Sequence, residues 1–118
     1  MLTPLQQQLL QVRATLPQDV ELVAVSKFHP VEALQEAYDA GQRIFGESRV
    51  QELEQKRPLM PADTRWHFIG HLQANKVKYI APYVELIHAV DSLKLLIEID
   101  RQAARCERII HCLLQVHV

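Results

Sequence analysis

Lys27 is the residue whose type and position in this chain most clearly point to chemistry. It follows the apolar run at residues 22–26 and precedes Pro30, so the pattern places it between a buried strand and a helix. In α/β barrels, functional residues lie at this carboxyl end of a strand. Side chains alternate along a strand, so Lys27 is expected to share an apolar face with Val23 and Val25, which favours a neutral, nucleophilic amine. Such an amine could form a Schiff base with an aldehyde; a solvated lysine at a strand end is the alternative.

His67 is the second candidate. It lies in the apolar run at residues 66–70 and shares a face with Ile69, whereas His71 follows Gly70. A spacing of four suits a zinc site only when both histidines lie on one helix, so it does not apply here. We expect no acidic partner beside these histidines and predict no metal site. A hydrogen-bonded core histidine is the alternative to a binding role for His67.

Alternating patterns predict five strands separated by helices. The predicted strands are residues 21–27, 43–46, 66–70, 84–90 and 109–118. The predicted helices are about the first fifteen residues and residues 29–41, 47–57, 72–80 and 92–104, the last capped by Asp91 or Ser92. Strands that alternate with helices pair in parallel through right-handed crossovers.

Two α/β architectures fit this order, an open doubly wound sheet and part of a closed barrel. The first strand-to-helix turn, residues 26–30, contains no glycine, unlike the first turn of a dinucleotide-binding fold. A complete eight-stranded barrel needs about 200 residues or more, so a chain of this length would be part of one.

Composition narrows the function classes. The chain has 118 residues, a formal net charge of −1 and 48% hydrophobic residues. This charge gives no electrostatic basis for binding nucleic acid or an anionic membrane, and no apolar run approaches the length of a membrane span, about 20 residues. Cys106 and Cys112 are too few for a disulfide scaffold and are typical of reduced thiols in a cytoplasmic protein.

Five sequence blocks occur in the order and spacing of one known family. This chain resembles the YggS/PROSC family of pyridoxal phosphate homeostasis proteins, and the WHFIGHLQANK block is its most specific match. The blocks are AVSKFHP at 24–30, RIFGESRVQE at 43–52, WHFIGHLQANK at 66–76, IHAVDS at 87–92 and LLQVHV at 113–118.

The resemblance implies a partial (β/α) TIM-type barrel of the alanine racemase N-terminal type. Residues 1–118 match the first half of a single barrel domain that binds pyridoxal 5'-phosphate (PLP). The family's PLP lysine, which holds the cofactor as a Schiff base, matches Lys27. Ser48 stands where the family usually has asparagine near the cofactor, and His67 is expected to line the barrel interior near the cofactor ring. The strands that would hold the cofactor phosphate lie beyond the matched half.

The implied function is PLP binding in cofactor homeostasis, without established enzymatic turnover. The expected partners are PLP and PLP-dependent apoenzymes that receive it, but no nucleic acid or membrane. The open edges of a half-barrel also predict self-association. Two alternatives stay open: a racemase-like PLP enzyme acting on amino acids, and a fragment that binds no cofactor.

Overall fold

The computed structural model describes residues 1–118 as a parallel sheet with helices. Its five strands lie side by side in chain order, and each pairs in parallel with its sequence neighbour. They are β1 (Ala24–Val25), β2 (Ile44–Glu47), β3 (Arg65–Phe68), β4 (Val84–Val90) and β5 (His111–Leu114). The predicted number and direction of the strands are confirmed.

Helices precede, separate and follow the first four strands. They are α1 (Pro4–Ala14), α2 (Val31–Asp39), α3 (Val50–Lys56), α4 (Val77–Ile80) and α5 (Leu93–Arg105). Single 3₁₀ turns at Arg57–Leu59 and Ala74–Lys76 extend α3 and introduce α4. Thr3 caps α1 through a capping box with Gln6. Ser92 caps α5 by accepting the N–H of Leu95, which decides between the two predicted caps.

The hydrophobic core lies between the helices and one face of the sheet. Right-handed crossovers between strands in sequential order bring all the connecting helices to the same face. Buried strand residues point into this layer and pack against helix residues; they alternate on β3 but lie three apart on β4, whose pairing is irregular on both sides. They are Phe45, Trp66, Phe68, Val84, Ile87 and Val90. The opposite face carries no helix, and Val25 on it is 53% exposed. The sheet therefore has a packed face and an open face.

Both outer strands are shorter than the sequence predicts. At the start of β1, the carbonyl of Leu22 accepts a hydrogen bond from the Gln42 side chain instead of joining the sheet. After Val25, the Ser26 N–H still bonds to Gly46, but the chain then turns. The predicted strand over residues 21–27 is therefore wrong at both ends.

At the far edge, β5 ends at Leu114 although the apolar pattern continues to residue 118. Its neighbour β4 ends at Val90, whose carbonyl accepts the N–H of Gln115, so no strand lies beside the later residues. The prediction for α3 is also wrong at its start, because Glu47 belongs to β2 and the helix begins at Val50.

Candidate functional site

Lys27 lies in a turn beyond the carboxyl end of β1. The Ser26 carbonyl accepts the N–H of His29 at 3.0 Å, so residues 26–29 form a turn with Lys27 at its second position. The Lys27 side chain is exposed, and no hydrogen bond or ion pair within the chain engages its amine. The expectation that an apolar strand face surrounds this amine is wrong, because the strand ends before Lys27 and the face is open.

The residue after Lys27 has an unusual backbone conformation. Phe28 has φ 67°, in the left-handed region that glycine normally occupies at the third position of such turns. Its N–H donates to Oε2 of Glu52 at 2.7 Å, and the guanidinium of Arg49 lies 5.1 Å from the centre of its ring. A strained turn of this kind persists only when its surroundings hold it.

Beneath the turn lies a buried ionic cluster. The Lys56 ammonium donates to Oε2 of Glu47 at 2.9 Å, to Oε2 of Glu52 at 2.8 Å and to the carbonyl of Ser26 at 2.8 Å. All three of its N–H groups are therefore used. Glu47 is fully buried and also accepts the Ser26 hydroxyl, whereas its Oε1 has no hydrogen-bond partner.

Glu52 connects this cluster to the turn. Burial alone would raise the pKa of Glu52, but the hydrogen bonds from Lys56 and from the Phe28 N–H outweigh it and lower the pKa. Glu52 is therefore a carboxylate at neutral pH, and it links the helix α3 to the backbone beside Lys27.

His67 lies on the open face of β3 within a polar chain. Its Nε2 lies 2.9 Å from Oε2 of Glu85 and its Nδ1 lies 3.1 Å from Nε2 of His88. A carboxylate only accepts hydrogen bonds, so His67 Nε2 carries a hydrogen and the two histidines share another. The expectation that His67 has no acidic partner is wrong, because Glu85 of the neighbouring strand β4 lies within hydrogen-bond distance of it, at an irregularity in the pairing of the two strands.

The surroundings of Glu85 and His88 determine the charge that each carries. Burial would raise the pKa of Glu85, but hydrogen bonds from Arg65 and His67 outweigh it and lower the pKa. Two causes lower the pKa of His88: burial is the larger, and electrostatic repulsion from His67 is the smaller. A neutral His88 is thus favoured at one end of this group and an ionised Glu85 at the other, with His67 between them.

Ser48 follows β2 and packs closely on the loop after β3. A Cβ added at Gly70 would lie 2.4 Å from the Ser48 carbonyl oxygen, so only glycine permits this approach. Strand register relates Ser48 to the other candidates: Val25, Gly46 and His67 are partners across β1, β2 and β3. Ser48 and Lys27 each follow that row by two residues and lie just beyond the carboxyl ends of β2 and β1, whereas His67 lies within β3.

Sequence reasoning missed the residues that support these candidates. Glu52 and Lys56 have the spacing of an ion pair on one helix face, a signal that was available. Nothing in the sequence indicates that Lys56 points inward to Glu47, since buried lysines are rare. Glu85 and His88 were read only as part of a strand. No cluster of three or more potential metal ligands is present, and no helix is long and apolar enough to span a membrane.

Comparison with known proteins identifies relatives over almost the whole chain. The family model "Alanine racemase, N-terminal domain" matches residues 2–118. A pyridoxal phosphate homeostasis protein of Synechocystis is 40% identical over 108 residues, covering 90% of this chain and 50% of the relative. Its counterpart in Escherichia coli K12 is 37% identical, over 86% of this chain and 45% of the relative. The chain thus spans about half the length of these relatives.

Solved structures agree with this match. The structure of PipY from Synechococcus elongatus with PLP bound is 43% identical, with a TM-score of 0.91, and the match covers 97% of this chain and 55% of PipY. The same protein without PLP also superposes with a TM-score of 0.91. The predictions of the family and of a partial TIM-type barrel are therefore confirmed. The chain belongs to the alanine racemase N-terminal domain family and, within it, is similar to the pyridoxal phosphate homeostasis proteins.

Proposed function

We propose that this chain binds PLP through Lys27 and serves PLP homeostasis. The observation that carries the proposal is the Lys27 amine, which is exposed and unpaired in a braced turn at the carboxyl end of β1. The relatives named for PLP homeostasis and the PLP-bound PipY structure support it. They suggest the same ligand for this chain.

The exposed Lys27 amine is the group that the aldehyde end of PLP requires. Lys27 Nζ attacks the aldehyde carbon and loses two protons, and the aldehyde oxygen leaves as water while a C=N double bond, a Schiff base, forms. Bound in this way, PLP supplies an electron-withdrawing ring. We assign lining roles to Ser48, which like Lys27 follows the carboxyl end of its strand, and to His67, which lies within β3. No residue of this chain is assigned to the cofactor phosphate.

Replacing Lys27 tests the proposal directly. We expect Lys27→Ala to abolish covalent PLP labelling because no other residue presents its amine in this turn. The protein is incubated with PLP, reduced with borohydride, which converts the C=N bond to a stable amine, and weighed intact by mass spectrometry. Lys78→Ala, which removes an exposed lysine of α4, is the matched control and should retain one phosphopyridoxyl group.

Two results would overturn the assignment. Labelling of Lys27→Ala at the level of the unaltered chain would place the ligand elsewhere. No labelling of the unaltered chain would favour the reading of a fragment that binds no cofactor. Peptide mapping of the labelled protein identifies the modified lysine in either case.

We further propose that this chain holds the cofactor without turning it over, a role supported by relatives that are named for PLP homeostasis. PLP-dependent apoenzymes that take up the cofactor are the proposed partners, together with further copies of the chain at the open sheet edges. Cys106 and Cys112 are free thiols, in keeping with a proposed cytoplasmic location.

A further inference from the structure

We propose that Glu52 and Lys56 of α3 are positioning residues, which clamp the turn that carries Lys27 and thereby direct its amine. This inference rests on the proposed function, because it assigns a role in PLP capture to residues that need not touch PLP. It gives α3 a task beyond packing: the helix carries both groups that fix the backbone on either side of Lys27.

The first half of the clamp acts on Phe28. A non-glycine residue with φ 67° is disfavoured, and the N–H of Phe28 is held at 2.7 Å by the Glu52 carboxylate. A charged acceptor makes this hydrogen bond stronger than a neutral one. Loss of the carboxylate would leave Phe28 free to return to a negative φ, which would redirect the preceding Lys27.

The second half of the clamp acts on Ser26. Its carbonyl accepts two hydrogen bonds, from the His29 N–H that closes the turn and from the Lys56 ammonium. Lys56 is itself fixed, since its other two N–H groups bind Glu47 and Glu52. The ammonium therefore holds the residue before Lys27, and the carboxylate of Glu52 holds the residue after it.

Glu52 offers a cleaner test than Lys56. Lys56 and Glu47 have side chains that are only 7% and 0% exposed, and breaking such a buried pair leaves an uncompensated charge that destabilises the whole fold. The Glu52 side chain is 19% exposed, and Lys56 keeps Glu47 when Glu52 is removed. Glu54→Ala is the matched control, because Glu54 lies on the same helix and accepts a hydrogen bond from the Tyr83 hydroxyl, away from the turn.

The experiment measures the rate of borohydride-trapped PLP labelling at Lys27, together with hydrogen exchange of the Phe28 amide. For Glu52→Ala we expect labelling to slow, and exchange at Phe28 to accelerate, by about tenfold relative to Glu54→Ala. Urea unfolding of both variants shows whether global stability is matched. Global loosening would accelerate amides across the sheet, whereas loss of the clamp accelerates the turn selectively.

A second substitution separates the clamp from other effects of Glu52. Glycine adopts positive φ without steric cost. In a Phe28→Gly chain, the turn should therefore depend less on the Glu52 carboxylate to keep its conformation. In a double-mutant cycle, the loss caused by Glu52→Ala should be smaller in the Phe28→Gly background than in the parent.

The outcomes distinguish this inference from the function on which it rests. If the unaltered chain is labelled at Lys27 but Glu52→Ala behaves like Glu54→Ala, the positioning role is rejected and the proposed function stands. The positioning role is also rejected if Glu52→Ala slows labelling equally in the parent chain and in the Phe28→Gly chain. If the unaltered chain takes up no label at Lys27, both proposals fail.

Discussion

At the scale of single residues, two separate groups of titratable side chains lie at the candidate site. One joins Lys56, Glu47 and Glu52 beneath the Lys27 turn, on the helix side of the sheet. The other joins Glu85, His67 and His88 on the open face. Because the groups lie on different faces, their protonation can be examined independently.

His88 predicts how stability depends on pH. Its pKa is lowered from 6.5 in the folded protein by burial and by His67, so the unfolded chain binds a proton more readily. Stability is therefore lost as pH falls from about 6.5 through the lowered folded value, whereas Glu52 and Glu85, also lowered, contribute to loss only below about 4.5. Urea unfolding of His88→Gln between pH 7.5 and 5 should show a flatter dependence than the parent.

His71→Gln is the matched control for this measurement, because His71 is an exposed histidine outside the group formed by Glu85, His67 and His88. Identical curves for His88→Gln and the parent chain would contradict the role assigned to His88.

At the scale of elements, the hydrophobic pattern of the sequence predicts which segments form strands. It does not predict where a strand ends when the end depends on contacts with neighbouring residues. The bounds predicted for β4 are the observed ones, because its apolar residues Val84, Ile87 and Val90 are buried and it pairs with a strand on each side. β1 is two residues long because Gln42 and the Lys27 turn take its hydrogen-bonding groups, which no apolar pattern records. The candidate site divides in the same way: Lys27, Ser48 and His67 follow from sequence blocks, but the inward turn of Lys56 does not.

The cap of α5 gives a prediction at this scale. Ser92 Oγ accepts the N–H of Leu95 at 3.1 Å, whereas Asp91 precedes the cap and is exposed. Ser92→Ala should lower the free energy of unfolding by about 1 kcal/mol. Asp91→Ala should change it by less than about 0.5 kcal/mol, as measured by urea denaturation of both variants. The reverse order would mean that Asp91, not Ser92, caps the helix.

At the scale of the whole molecule, the two outer strands leave unpaired edges. β1 and β5 each have one neighbour in the sheet, and Leu114 on β5 is 65% exposed. Unpaired apolar edges favour pairing with another chain. We therefore expect the average mass in sedimentation equilibrium to rise with protein concentration, and Leu114→Lys to reduce that rise.

Leu93→Lys is the control for the edge, since Leu93 is 72% exposed but lies on α5, away from both edges. A mass that stays that of one chain at every concentration, or an equal effect of both substitutions, would argue against association through β5.

The order of the strands also bears on how the chain acquires its structure during synthesis. Because every strand pairs with the one before it, hydrogen-bonded side chains on adjacent strands are only about one βα unit apart, 20 residues for Arg65 and Glu85 and 21 for His67 and His88. Such separations keep the entropic cost of loop closure lower than pairing between more distant segments would. Because each strand after the first needs only the edge of the strand before it, we expect the sheet to grow from its amino-terminal end, one unit at a time, during synthesis.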